Sequence, residues 1–149
     1  MLTIYDANGV YGHPDHLQVH RVGALAAEQA GVNRVYEATL NYDRMRDQVL
    51  AAAAEPDAPV ELVEMAEAMR SGEGPTMGSP AALITTVIDV APWIDLKRAA
   101  FAAHASQIGP DSFFLSMPDD RFVQAFGEES FIRRDAPAGT AETSLFEGL

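Results

Sequence analysis

The stretch from Leu2 to Gly31 limits the fold most, because strand, turn and helix signals follow one another without a gap. Leu2-Thr3-Ile4-Tyr5 reads as a short strand and Asp6-Ala7-Asn8-Gly9 as the loop leaving it. Gly12 permits a tight turn, and Pro14 suits the first position of a helix, where its missing N–H is no loss. Leu17, Val19, Val22, Leu25 and Ala26 then recur among polar residues, which predicts an amphipathic helix over Pro14–Ala30 with Gly31 as its C-cap. A strand, a glycine turn and a helix in this order open an α/β layer. In such folds polar chemistry collects on loops beyond the C-terminal ends of strands.

His13, His16 and His20 all fall on this turn and helix, leaving only His104 elsewhere. Their spacing of three and four residues places them on one helical face. Asp15 stands between two imidazoles, where it could orient one of them or share a metal. His20 has a plainer reading, packing or hydrogen bonding within the helix. Asp6 and Asn8 have two readings as well: reaching substrate hydroxyls from the loop, or holding the loop by side-chain to backbone bonds.

Further along, strands are expected at Asn33–Leu40 and Ala82–Val90, the latter β-branched and nearly continuous. Helices are expected at Tyr42–Ala54, Pro59–Arg70, Trp93–Gln107 and Pro118–Ala125. Ser71-Gly72-Glu73-Gly74-Pro75 reads as a mobile loop. Strands alternating with helices indicate an α/β layer fold, yet few strands can be counted for a sheet covered on both faces. The expected organisation is one partial domain over residues 1–135 and a flexible tail over 136–149.

Composition removes several classes of function. A net charge of −12 with no basic patch argues against nucleic acid and anionic membranes. The absence of cysteine excludes disulfides, thiolate catalysis and cysteine-bound zinc. No apolar run approaches the roughly 20 residues of a membrane helix, and no signal peptide is visible, so the cytoplasm is the expected location. Asp119-Asp120, after Met117-Pro118, reads as an ordinary helix start.

At Tyr11-Gly12-His13-Pro14-Asp15-His16, with Asp6-Ala7-Asn8-Gly9 ahead, the chain resembles the PIG-L/LmbE-like de-N-acetylases, the mycothiol-pathway deacetylase and amidase most of all. The strand Ile84–Val90, the run Lys97-Arg98-Ala99-Ala100, His104-Ala105-Ser106-Gln107 and Phe126–Phe131 resemble the family's later segments. The resemblance implies a Rossmann-like fold. It also implies a zinc-dependent hydrolase that removes an acetyl or other acyl group from an N-acetylglucosamine-type or mycothiol-like amide. His16 would be the zinc ligand and His13 the imidazole that steadies the tetrahedral intermediate or protonates the leaving amine. Asp15 would orient that imidazole, and Tyr11 would help hold the carbonyl oxygen or substrate.

The family's Ala-His-Pro-Asp-Asp motif, which supplies its other zinc ligands and general base, has no counterpart here. The resemblance is thus to the C-terminal half of such an enzyme, without the N-terminal strands and helices and with an incomplete zinc site. The partner expected is a small amino-sugar or thiol-conjugate substrate, with self-association through an exposed sheet edge. A catalytically inactive remnant serving as a binding domain, or one half of a split enzyme, is the alternative.

Overall fold

The computed structural model describes residues 1–74 and 76–147, so Pro75 of the expected mobile loop and the last two residues of the tail lie outside it. The elements follow the order β1 (Leu2–Tyr5), α1 (Gly9–Gly12), α2 (Pro14–Ala30), β2 (Val35–Thr39), α3 (Tyr42–Ala52) and α4 (Val60–Ser71). They continue with β3 (Thr86–Asp89), α5 (Ile94–Ala103), α6 (Phe113–Ser116), α7 (Asp119–Phe126) and β4 (Glu128–Arg133). The four strands form one sheet in the order β1-β2-β4-β3. β1 runs parallel to β2 with Ile4 opposite Glu37, and β2 runs antiparallel to β4 with Ala38 opposite Phe131. The chain is therefore mixed α/β with a mixed sheet.

Two compact units divide the chain, Met1–Val87 with Ser130–Leu149, and Ile88–Glu129. In the first unit, Ile4, Ala27 and Val35 form a buried cluster lined by Leu2, Ala24 and Val32. The helix can approach the strand so closely because of Gly23: a Cβ there would sit 2.5 Å from Ile4 Cγ2. Gly31 ends α2 in the left-handed conformation, as its position past the apolar run foretold. In the second unit, Phe101, Phe122 and Phe126 pack ring against ring, and the Arg98 guanidinium lies 4.1 Å over Phe122. Arg98 also donates to the carbonyls of Leu115 and Met117 and pairs with Asp119 at the acidic start of α7.

Three expectations change in the folded chain. The strand expected from Ala82 is regular only over Thr86–Asp89, because Pro80 leads into a 3-10 turn over Ala81–Leu83. The helix expected to reach Gln107 stops at Ala103, where His104 leaves helical geometry and becomes an exposed C-cap. The segment expected to be a flexible tail carries a buried carboxylate. Glu142, 9% exposed, accepts hydrogen bonds from Tyr36 Oη at 3.1 Å and Thr86 Oγ1 at 2.9 Å, and pairs with Arg133 at 2.5 Å. Arg34 also donates to the Glu147 carbonyl.

Burial alone would push the Glu142 carboxyl up, but bonds from Thr86, Tyr36 and Arg133, with the Arg133 charge, hold it below its ordinary 4.5. A lowered folded value means its stabilisation is present above about 4.5 and is lost as pH falls through the folded value. Glu37 runs the other way: burial raises it, His20 and Arg134 lower it less, and its contribution is lost as pH rises through its folded value. Glu142→Gln is expected to cost about 2 kcal/mol at pH 7, since Arg133 loses its buried partner and keeps only the more exposed Asp135. Urea melts of both proteins should show that gap closing below pH 4.5. A gap independent of pH would mean the charge is not what holds the segment.

Candidate functional site

The site lies where β1 hands over to α2. Here the backbone passes through Gly9 at φ 61°, Val10 at φ 63° and Gly12 at φ 82°. A left-handed, β-branched valine is costly, on the order of 1–3 kcal/mol, and persists only where surrounding bonds impose it. Asp6 does most of that. It is 1% exposed, and its carboxylate accepts from Asn8 N at 3.1 Å, Val10 N at 2.8 Å, Thr39 Oγ1 at 2.5 Å and Ser79 Oγ at 3.5 Å. Asn8 Nδ2 donates to the Gly78 carbonyl at 3.1 Å, and Gly78 N donates to the Val10 carbonyl at 2.5 Å. Only glycine fits at 78, at φ 60° and with a Cβ position 2.1 Å from the Leu40 carbonyl oxygen.

Of the two readings of Asp6 and Asn8, these bonds display the loop-holding one: the buried Asp6 carboxylate is satisfied by nearby donors, and the exposed Asn8 ties the loop to the Gly78 carbonyl through Nδ2.

His13 is the N-cap of α2, not a member of it, and its Nδ1 accepts from Asp15 N at 3.1 Å. An amide N–H can only donate, so the His13 proton sits on Nε2. Asp15 contacts this ring through its backbone amide. Its carboxylate is exposed in the first turn of the helix and makes no hydrogen bond among the described residues. A negative charge there suits the helix dipole.

His16 Nδ1 lies 3.2 Å from the Gly9 carbonyl. A carbonyl can only accept, so the ring donates through Nδ1–H and keeps its lone pair on Nε2. A histidine whose other nitrogen is tied to a backbone carbonyl is the usual form of a metal ligand. The His13 and His16 ring centroids are 4.8 Å apart, and Tyr11 presents its ring edgewise to them at 5.9 and 5.2 Å. Tyr11 is 53% exposed. The structure thus brings His13, His16 and Tyr11 together.

His20 is turned to another task, its Nδ1 2.9 Å from the Tyr5 carbonyl and 3.7 Å from Glu37 Oε1. Sequence reasoning missed Tyr5, whose ring stacks on His16 at 3.8 Å and 20°. Its place as the last strand residue before the loop was the available signal. It also missed Gly78 and Ser79, which nothing local ties to the histidines. Among the described residues no group of three His, Asp or Glu side chains is placed to hold a metal. His16 fits one ligand position through Nε2. No helix among the described residues is long and apolar enough to cross a membrane.

No protein-family model matches the chain. Sugar de-N-acetylases match it along its whole length, and this chain is their homologue, as its resemblance to the PIG-L/LmbE-like family implied. The 1D-myo-inositol 2-acetamido-2-deoxy-alpha-D-glucopyranoside deacetylase of Gordonia bronchialis is 36% identical over 159 residues, covering 100% of this chain and 53% of the relative. The enzyme of the same name from Acidothermus cellulolyticus is 37% identical, covering 100% and 51%. That from Saccharomonospora viridis is 34% identical over 152 residues, covering 100% and 53%. The chain spans about half the length of the curated relatives it matches.

Proposed function

We propose that this chain carries one side of the active centre of a zinc-dependent cytoplasmic hydrolase with a Rossmann-like fold. Its reaction would be removal of an acetyl or other acyl group from an N-acetylglucosamine-type amide, of the kind named for its relatives, or from a mycothiol-like one. The observation that carries this reading is His16, with Nδ1–H on the Gly9 carbonyl and its Nε2 lone pair kept beside the His13 ring. Amide hydrolysis needs a polarised carbonyl, an activated water and a proton for the departing amine. Zinc, when bound, supplies the first two.

His16 would hold one ligand position of the metal through Nε2. His13 would place Nε2–H at the reacting centre, where it stabilises developing negative charge as a hydrogen-bond donor. Tyr11 lines the open side and contacts the acyl oxygen or sugar. Asp15 adds negative charge at the mouth of the site and fixes His13 through its amide. The test is amine release from the N-acetylglucosaminyl-inositol substrate by the zinc-supplemented protein, before and after chelation. Release abolished by the chelator supports the reading, release that survives it removes zinc, and no release removes catalysis by this chain.

A second reading has its own observation. β1 is an edge strand paired only with β2, and Val19, Val22 and Leu25 on α2 are exposed at 44, 65 and 54%. An open edge beside an apolar stripe suits a chain that pairs with another, as one half of a split enzyme or a binding domain. A monomer in sedimentation experiments that is active alone would count against it.

A further inference from the structure

Asn8-Gly9 is the one asparagine–glycine pair in the chain, since Asn33 and Asn41 precede Arg34 and Tyr42. Glycine has no side chain to shield its amide nitrogen, so this nitrogen is the one best able to attack the preceding asparagine's side-chain carbonyl. The fold requires the pair all the same. Gly9 stands at φ 61°, where a Cβ would lie 3.1 Å from Leu17 N. Asn8 supplies the Nδ2 donor that ties the turn to the Gly78 carbonyl. In the closed turn, geometry holds the attack off. With Asn8 at ψ −4°, the Gly9 nitrogen eclipses the Asn8 nitrogen and is turned away from the Asn8 side chain. Its N–H is spent on the Asp6 carbonyl at 3.0 Å, while the Asn8 amide group is drawn toward Gly78. The Asp6 carboxylate fixes the residues on either side of Gly9, through Asn8 N and Val10 N.

We propose that Asn8 is a site of spontaneous deamidation, gated by opening of the turn that Asp6 and Gly78 hold shut. When the turn opens, the Gly9 nitrogen gives up its proton and bonds to Asn8 Cγ. The Cγ–Nδ2 bond breaks, and Nδ2 leaves as ammonia with that proton. Water then opens the cyclic imide to aspartate or isoaspartate at position 8, and no other reactant enters. Either product replaces the donor to the Gly78 carbonyl by a carboxylate, which that carbonyl repels. Isoaspartate also lengthens the backbone inside a turn that the Asp6 carboxylate grips on both sides. The reaction thus unmakes the turn that carries Tyr11 and His13, at a rate set by local opening rather than by unfolding of the whole chain.

The test is peptide mass mapping of position 8 over time in mildly alkaline buffer, for the folded parent, the parent in urea, Asp6→Ala and Glu142→Gln. The unfolded parent is expected to react there about 10–100-fold faster than the folded one, the effect of one or two hydrogen bonds that opening must break. Asp6→Ala is expected to react about tenfold faster than the folded parent. Glu142→Gln, which weakens the fold without touching the turn, should stay within about twofold. If Asp6→Ala does not fold, Thr39→Val takes its place, removing one bond to the Asp6 carboxylate, with about threefold expected. A folded parent that reacts as fast as the unfolded one overturns the gate, as does a loosened turn that reacts no faster. Equal acceleration by Glu142→Gln assigns the reaction to global unfolding and overturns the gate as well. An unfolded parent in which Asn8 reacts no faster than Asn33 and Asn41 overturns the site. Deamidated parent, separated by its added negative charge, should melt below the intact protein, and an unchanged Tm overturns the damage assigned to the turn.

Discussion

Replacing His13 with alanine is expected to leave zinc binding nearly unchanged while lowering turnover by about 10²–10³-fold, the usual worth of one positioned hydrogen-bond donor to developing charge. His16→Ala is expected to lose the metal and the activity together. The two differ because their ring nitrogens are committed differently. His13 spends Nδ1 on the Asp15 amide and presents an N–H outward, the form of a hydrogen-bond donor to developing charge. His16 spends Nδ1–H on the Gly9 carbonyl and presents a lone pair, the form a metal ligand takes. Zinc titration beside steady-state rates separates the two losses. His13→Ala that loses metal, or His16→Ala that keeps it, would reverse the assignments. His13→Gln is a useful third variant, since its amide can still accept from Asp15 N and cap α2. It should regain stability without regaining turnover.

Asp6→Ala is expected to lower the folding free energy by about 3–4 kcal/mol, through donors left without an acceptor. The amides of Asn8 and Val10 and the hydroxyl of Thr39 lose a charged partner that is itself buried. For a chain of this size that corresponds to a melting temperature lower by roughly 6–16 °C. Thermal unfolding followed by circular dichroism would measure it. The strained Val10 then has nothing to impose its left-handed backbone, so the turn bearing Tyr11 and His13 should relax with it. Asp6→Asn, nearly isosteric, should recover less than half of the loss, because its amide nitrogen faces donors with another donor. A substitution that weakens substrate binding but leaves the melting point alone would restore Asp6 to the substrate-contacting role this geometry denies it.

The sequence by itself determined the elements whose signals are local. β1, α2 with its proline start and glycine cap, β2, α3 and α7 arise where periodicity and punctuation place them, within a few residues. It also placed His13, His16 and Tyr11 at the end of a strand, since a glycine turn followed by a proline-started helix leaves them nowhere else. The folded chain alone decided which nitrogen each imidazole offers, because that depends on whether an amide or a carbonyl stands opposite. Asp6 and Asn8 became parts of the scaffold through Thr39, Gly78 and Ser79, residues 31 or more positions away that no local pattern connects to them. The antiparallel insertion of β4 between β2 and β3 was equally out of reach, since strand order follows from long-range pairing. Glu142 is the plainest case: a glutamate among small polar residues reads as a frayed end. Its burial follows from Tyr36, Thr86 and Arg133 converging on it from three strands.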